Sequence, residues 1–416
     1  MKRNKALHIA FVANTSWSMY NFRIEVLRFF ISRGFKVSVI APFDSFTSKL
    51  LAEGVDYIPV SLHNYSLNPF RDFLTFFQLY RIMRKNRFDH VFLYTIKPNM
   101  YGGLAAWWTR TSYTAAVTGL GRFLTFQNSI LNRLTIGMYK LCLKGASECW
   151  FLNDHDKNLF IELDIVESEK SYLLPSEGIN TQKFRPRQRK QDSGIIRFLF
   201  AGRLLKEKGI EDFVSLARHI KSIYPRVKFE VLGYIDRRNP HSIHLDQLHS
   251  WQKEGYIKYI GANEDVRPYL ERADCIVLPT KYQEGKSRIL LEACSMEKPV
   301  ITYENHGCSD IVIHGKTGWV CHDRTTLGLV EAATEFLDMT PAARIEMGKM
   351  GRAFVKKKFD VREIVQIYAQ KLSSYGVISV SAVENSTPIF EDHQIKTNSK
   401  VSESDLPNSS GSQHNA

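Results

Sequence analysis

Short apolar runs alternate with amphipathic stretches along this chain, and the alternation starts afresh halfway. ALHIAFVAN and KVSVIAP are predicted strands, separated by a helix over NFRIEVLRFFISRG that stops at Gly34. VDYIPVSL and HVFLYT are two more, with the helix FRDFLTFFQLYRIMRKN between them. Strands joined through helices need right-handed crossovers, and these build a parallel sheet. After the basic stretch RPRQRKQDSG (185–194), the strands IIRFLFAG, KFEVLGY, IKYIG, CIVLPT and PVITY repeat the pattern. A chain of 416 residues exceeds one ordinary core. The expected fold class is therefore α/β, with two doubly wound domains over 1–188 and 189–360 and a hinge near 185–194. Residues 361–376 read as a closing helix that crosses back to the first domain. The tail 377–416 is polar and without period, and is expected to be disordered.

No run approaches the ~18 apolar residues of a membrane span. The start, MKRNKALHIAFVAN, has a short apolar stretch with no cleavage site after it, and reads as a solvated lead into a buried strand. The six cysteines show neither CxxC pairing nor a regular framework, which argues against zinc and suits a reducing cytoplasm. Net charge is +13, and the last forty residues hold five acids and two bases, so the remainder carries about +16. Nucleic acid, an anionic membrane face, anionic substrates or plain solubility would each account for that excess. No aromatic-studded strand or zinc module accompanies the charge, so nucleic acid is not the expected partner. The first strand leads into VANTSWSMYNFR without GxGxxG, which argues against a dinucleotide.

The chemistry is concentrated in VLPTKYQEGKSRILLEACSMEKPVI, residues 277–301. CIVLPT is a strand, EGKS a turn and RILLEACS a helix start, where the amides of Ser287, Arg288 and Ile289 would face a phosphate. Glu284 precedes that helix and Glu292 lies about one turn inside it. A ligand with phosphate in the middle and hydroxyls at both ends, such as a nucleotide-sugar, suits this layout. A second candidate is FLFAGRLLKEKGIEDF: Gly202 permits a turn at a strand's carboxyl end, and Arg203 and Lys208 flank the loop that follows. Two fixed cations would neutralise a diphosphate leaving group. Taken alone, they read more readily as surface charges ahead of a helix.

Together, AGRLLKEKG, LPTKYQEG with its Glu284-x7-Glu292 spacing, and GCSDIVIHGKTGWV resemble the family 4 retaining glycosyltransferases of GT-B architecture. SMYNFRIEVLRFFISRGFKVSVIAP, LYTIKPNMYGGLAA and VTGLGRF are similar to a narrower bacterial group. Its members transfer N-acetylgalactosamine or a related sugar to undecaprenyl-diphosphate-linked saccharides for O-antigen, capsule or protein-linked glycans, at the cytoplasmic membrane face. The resemblance implies two domains facing each other across a cleft, a UDP-sugar donor, no cofactor and no metal. It puts Glu292 on the ribose, Glu284 on the donor hexose, and the amides following Gly285 (Lys286, Ser287, Arg288, Ile289) on the diphosphate, assisted by Arg203 and Lys208. The base would lie near Gly233 and the Gly261–Glu264 turn. Asn21, Arg23, Lys97, Thr118, Gly119 and Arg122 are the acceptor candidates. Many family members carry a histidine where AAVTGLGR has none, which leaves the group facing the acceptor hydroxyl unassigned. His306, Cys308 and Asp310 read as structural support. Segments 70–87 and 128–145 mix apolar and basic residues, as interfacial helices do, although packing against the sheet would explain most positions. Trp107 and Trp108, near Arg110, fit an interfacial anchor or plain core. The alternatives are a nucleotide-sugar epimerase of related fold, a glycosidase using Glu284 and Glu292, and a non-catalytic basic binding protein or scaffold.

Overall fold

The computed structural model of the protein describes residues 6–62, 68–120, 130–187, 194–236 and 239–378. Arg122, most of the 185–194 stretch and the tail beyond 378 lie outside the described residues.

The first half forms one sheet from β1 (His8–Val12), β2 (Lys36–Ala41), β3 (Asp56–Pro59), β4 (His90–Tyr94), β5 (Tyr113–Val117), β6 (Glu148–Phe151) and β7 (Ser171–Leu173). Their order is 3-2-1-4-5-6-7, and every pairing is parallel. The second half forms a sheet from β8 (Arg197–Ala201), β9 (Lys228–Leu232), β10 (Lys258–Tyr259), β11 (Cys275–Leu278), β12 (Val300–Tyr303) and β13 (Gly318–Cys321), in the order 10-9-8-11-12-13. It too is parallel. Helices cover both faces, so a strand such as β1 is buried along its whole length and reads as a continuous apolar run. The strand order reverses between β1 and β4 and again between β8 and β11. Open α/β sheets bind ligands at the carboxyl ends of the strands beside such reversals. The two-domain architecture is thus the one expected.

Details differ. The first helix, Ser16–Ser32, begins ahead of the NFRIEV pattern because Thr15 caps it, its Oγ1 accepting from the Ser18 amide at 3.1 Å. The strands β5, β6 and β7 were not singled out from the sequence. All six cysteines are buried free thiols. Among the described residues no helix is long and apolar enough to cross a membrane.

The chain passes between the two sheets at two points that touch. Ile179 donates its amide to the Phe359 carbonyl at 2.9 Å and accepts from the Val361 amide at 3.0 Å. Thr181 donates its hydroxyl to Asp360 at 2.5 Å. The last helix, Val361–Ser374, lies on the first sheet: the Tyr94 and Tyr368 hydroxyls hydrogen-bond at 2.8 Å, and Lys371 reaches Glu148 at 2.6 Å.

Candidate active site

The second sheet's reversal assembles the predicted phosphate groups. Gly202 follows β8, and the 279–287 loop follows β11. Lys208 forms an ion pair with Glu284, both side chains being largely buried. Tyr282, not foreseen from sequence, lies under both cations, with the Arg203 guanidinium 5.6 Å and the Lys208 ammonium 5.1 Å from its ring centre. Cations held against an aromatic face and a carboxylate keep fixed positions. The Arg288–Ser295 helix opens beside them, with Ser287 at its cap position. No side chain caps this helix and no acid sits in its first turn, so its positive end stays unneutralised. Glu292 accepts from the Arg288 Nε at 2.9 Å. Burial pushes the Glu292 carboxyl above the usual range, against the pull of Arg288.

Several predicted groups are committed elsewhere. The Ser287 amide donates to the Gly307 carbonyl at 3.0 Å, which leaves Lys286, Arg288 and Ile289 as the candidate phosphate amides. Lys286 pairs with Asp310, so its ammonium already has a counter-charge. Gly202, Gly233 and Gly261 do come together, but the Gly233 amide donates to the Gly261 carbonyl at 2.8 Å and holds the turn. A Cβ on Gly233 would collide with the Gly202 carbonyl, so close is their approach.

On the first domain, two acceptor candidates are structural. Arg23 is buried, paired with Glu177 and stacked 3.8 Å from the Tyr94 ring centre, so its charge is spent inside the fold. Lys97 pairs with Asp72 at 2.6 Å, both nearly covered. Asn21 donates to the Trp17 carbonyl at 3.0 Å, within its own helix. Thr118 and Gly119 instead meet the second domain. Gly119 has φ +126, and a Cβ there would lie 2.9 Å from the Gly285 amide nitrogen, while one on Gly285 would fall on the Thr118 carbonyl. Only glycine fits on either side of this seam. The Asn153 side-chain amide crosses it to the Glu284 and Gly285 carbonyls at 3.3 and 3.4 Å. Asp156, whose carboxyl burial raises to about 6, accepts from that same amide group at 3.1 Å. Thr95, just after β4, is the strained residue here: it has φ +73, and its hydroxyl is buried without a partner, as is Asn99 Oδ1. Thr95 and Asn99 lie inside LYTIKPNMYGGLAA without having been singled out there, while Asn153 and Asp156 belong to none of the stretches that carry the resemblance.

His155 and His306 face each other across the same seam with rings parallel within 4° and 4.1 Å apart. Burial, then His155 and Arg324, lower the His306 pKa below its ordinary 6.5, with Asp310 and Glu304 opposing. A lowered histidine contributes stability that is full above 6.5 and is lost as pH falls through its folded value. Asp156 has the opposite sign. We therefore expect acid to loosen the seam more in the wild type than in His155→Ala; small-angle scattering at neutral and mildly acidic pH measures that difference, and identical profiles would refute it.

Comparison with known proteins agrees with this geometry. A model for group 1 glycosyl transferases matches residues 181–354, and one for 4-like glycosyl transferases matches residues 8–153. A Campylobacter jejuni protein, N,N'-diacetylbacillosaminyl-diphospho-undecaprenol alpha-1,3-N-acetylgalactosaminyltransferase, is 29% identical over 80% of this chain and 90% of its own length. An Escherichia coli UDP-Gal:alpha-D-GlcNAc-diphosphoundecaprenol alpha-1,3-galactosyltransferase is 25% identical over 62% of this chain and 67% of its own. Among solved structures, a Rickettsia africae glycosyltransferase superposes with a TM-score of 0.72, covering 92% of this chain and all of that one at 18% identity. Anabaena HepE bound to UDP-glucose gives 0.73, over 88% and 100%, at 16%. Two facing parallel sheets, a cationic turn beside an open helix mouth, and matches to both halves make the chain a member of the GT-B glycosyltransferases that unite the group 1 and 4-like families.

Proposed function

We propose that the protein moves an N-acetylhexosamine, N-acetylgalactosamine or a close relative, from a UDP-sugar to an undecaprenyl-diphosphate-linked saccharide. The transfer retains anomeric configuration, needs no metal or cofactor, and takes place peripherally on the inner face of the membrane. The convergence of Arg203 and Lys208 on Tyr282, with Glu284 paired to Lys208, beside the uncapped helix mouth carries this reading. The names of the C. jejuni and E. coli relatives supply the acceptor class.

As the bond from C1 to the UDP oxygen breaks, the sugar becomes oxocarbenium-like and negative charge grows on the diphosphate. Arg203, Lys208 and the Lys286, Arg288 and Ile289 amides meet that charge, the task that a divalent cation performs in other transferases. Glu284 holds Lys208 through Oε1, and its Oε2 remains for a hydroxyl of the donor hexose. The acceptor oxygen attacks from the face that the diphosphate leaves, and its proton passes to the departing phosphate. Glu292 serves the ribose through Oε2, its Oε1 being held by Arg288.

Glu292→Ala is expected to weaken UDP binding by about ten- to a hundredfold, the loss of a charge-assisted hydrogen bond. Calorimetry with UDP reads this directly, and an affinity within threefold of wild type would remove Glu292 from the ribose. For the reaction itself, membranes holding lipid-linked acceptor are incubated with a panel of UDP-hexosamines, with and without chelator, and the products are weighed. One hexosamine added to the lipid at a chelator-insensitive rate is the expected result. An epimerised nucleotide-sugar without transfer would overturn the reading.

A further inference from the structure

The Pro69–Asn86 helix has one apolar face more than its core requires. Phe76, Leu79 and Met83 pack inward, while Phe70, Phe73, Leu74 and Phe77 point out and are 42–69% exposed. Phe73 stacks on Phe77, and Phe76 and Tyr80 each meet Trp108 edge-on, at 5.3 and 6.4 Å between centres. Trp108 and Trp107 end the Gly103–Thr109 helix and are 60% and 44% exposed. Trp107 lies against Gly145, just past the Ile130–Leu143 helix, whose Leu134, Met138 and Leu141 form a second outward stripe. The sequence reading favoured sheet packing for most of these positions; the outward rings are more than that accounts for. Contiguous exposed aromatics of this extent mark a binding surface.

The charge on this face identifies the partner. The three helices contain one acid, Asp72, which Lys97 already neutralises, against Arg71, Arg81, Arg84, Lys85, Arg133 and Lys140, the last of which meets Asp164 at 2.8 Å. A groove of about 660 Å³ opens between Tyr80, Trp107, Trp108 and Arg110. Aromatic rings flanked by arginine and lysine fit the headgroup level of an anionic bilayer. Asp72 lies near the start of the aromatic stripe, and its contact with Lys97, just past β4, puts that start at the strand ends that face the second domain. We infer that the flank formed by the Pro69–Asn86, Gly103–Thr109 and Ile130–Leu143 helices is the surface by which the protein lies on an anionic lipid bilayer. This rests on the proposed lipid-linked acceptor only for its purpose; the binding itself is independent of any acceptor.

The test uses the full chain and vesicles that contain no acceptor: phosphatidylcholine alone, and phosphatidylcholine mixed with phosphatidylglycerol. The wild type is expected to sediment with the mixed vesicles and to be released by salt. Phe73→Ser/Phe77→Ser/Trp108→Ser and, separately, Arg81→Glu/Arg84→Glu/Lys85→Glu should each reduce that binding about tenfold or more. Both should keep wild-type melting and UDP affinity. Wild-type protein that stays in solution, or variants that sediment unchanged, would overturn the inference while leaving the transferase reading intact. So would a wild-type dimer that the aromatic variant converts to monomer, since the face would then belong to a second copy.

Discussion

Lys208→Ala and Arg203→Ala are each expected to lower kcat by about 10²- to 10³-fold, the usual loss when one fixed donor to a developing oxyanion is removed. UDP and UDP-sugar affinity should change far less, because the cations act most strongly on charge that exists only in the transition state. Lys208→Arg keeps the charge opposite Glu284 and should recover part of the rate. Steady-state kinetics in saturating acceptor, with calorimetry on UDP, separates the two quantities. A loss confined to affinity, with kcat preserved, would contradict the role of these cations in leaving-group departure.

Arg23→Met is expected to be the most destabilising single change on the first domain, by about 3–5 kcal/mol. Its guanidinium pairs with Glu177 from the crossing segment and stacks on Tyr94, and removing it leaves a carboxylate without a counter-charge in a covered site. Denaturant titration measures the loss. The acceptor KM of the folded fraction should stay near wild type. If stability held while that KM rose tenfold, Arg23 would be a ligand contact rather than an internal tie.

What the chain's residues disclosed follows from the range of the forces involved. β1, β2, β4, β8 and β11 were readable because strands covered on both faces are continuous apolar runs. β5 and β6 escaped notice: after Tyr113, YTAAV has only the small residues Thr114, Ala115 and Ala116 before Val117, and ECWF opens with a charge. At the site, the spacing of Glu284 and Glu292 was visible because it is local to one turn and one helix. The partners of the cations were not, since Arg23 meets a residue 154 positions away and Lys286 one 24 away. Local sequence supplies a charge but not what neutralises it, and so it offered Arg23 and Lys97 as free cations. Tyr282 lay inside the motif unremarked, because an aromatic beside a turn has no pattern of its own.

The contact of Ile179 with Asp360 and its neighbours limits how the enzyme can move. Two passes of the chain, fastened to each other, behave as a single pivot, so the halves can rock or swivel about it but not slide apart. Gating of the cleft is then governed at the opposite end of a lever, where the glycine seam and the paired imidazoles meet. A substitution that frees one pass from the other should change the path of opening before it changes the closed form.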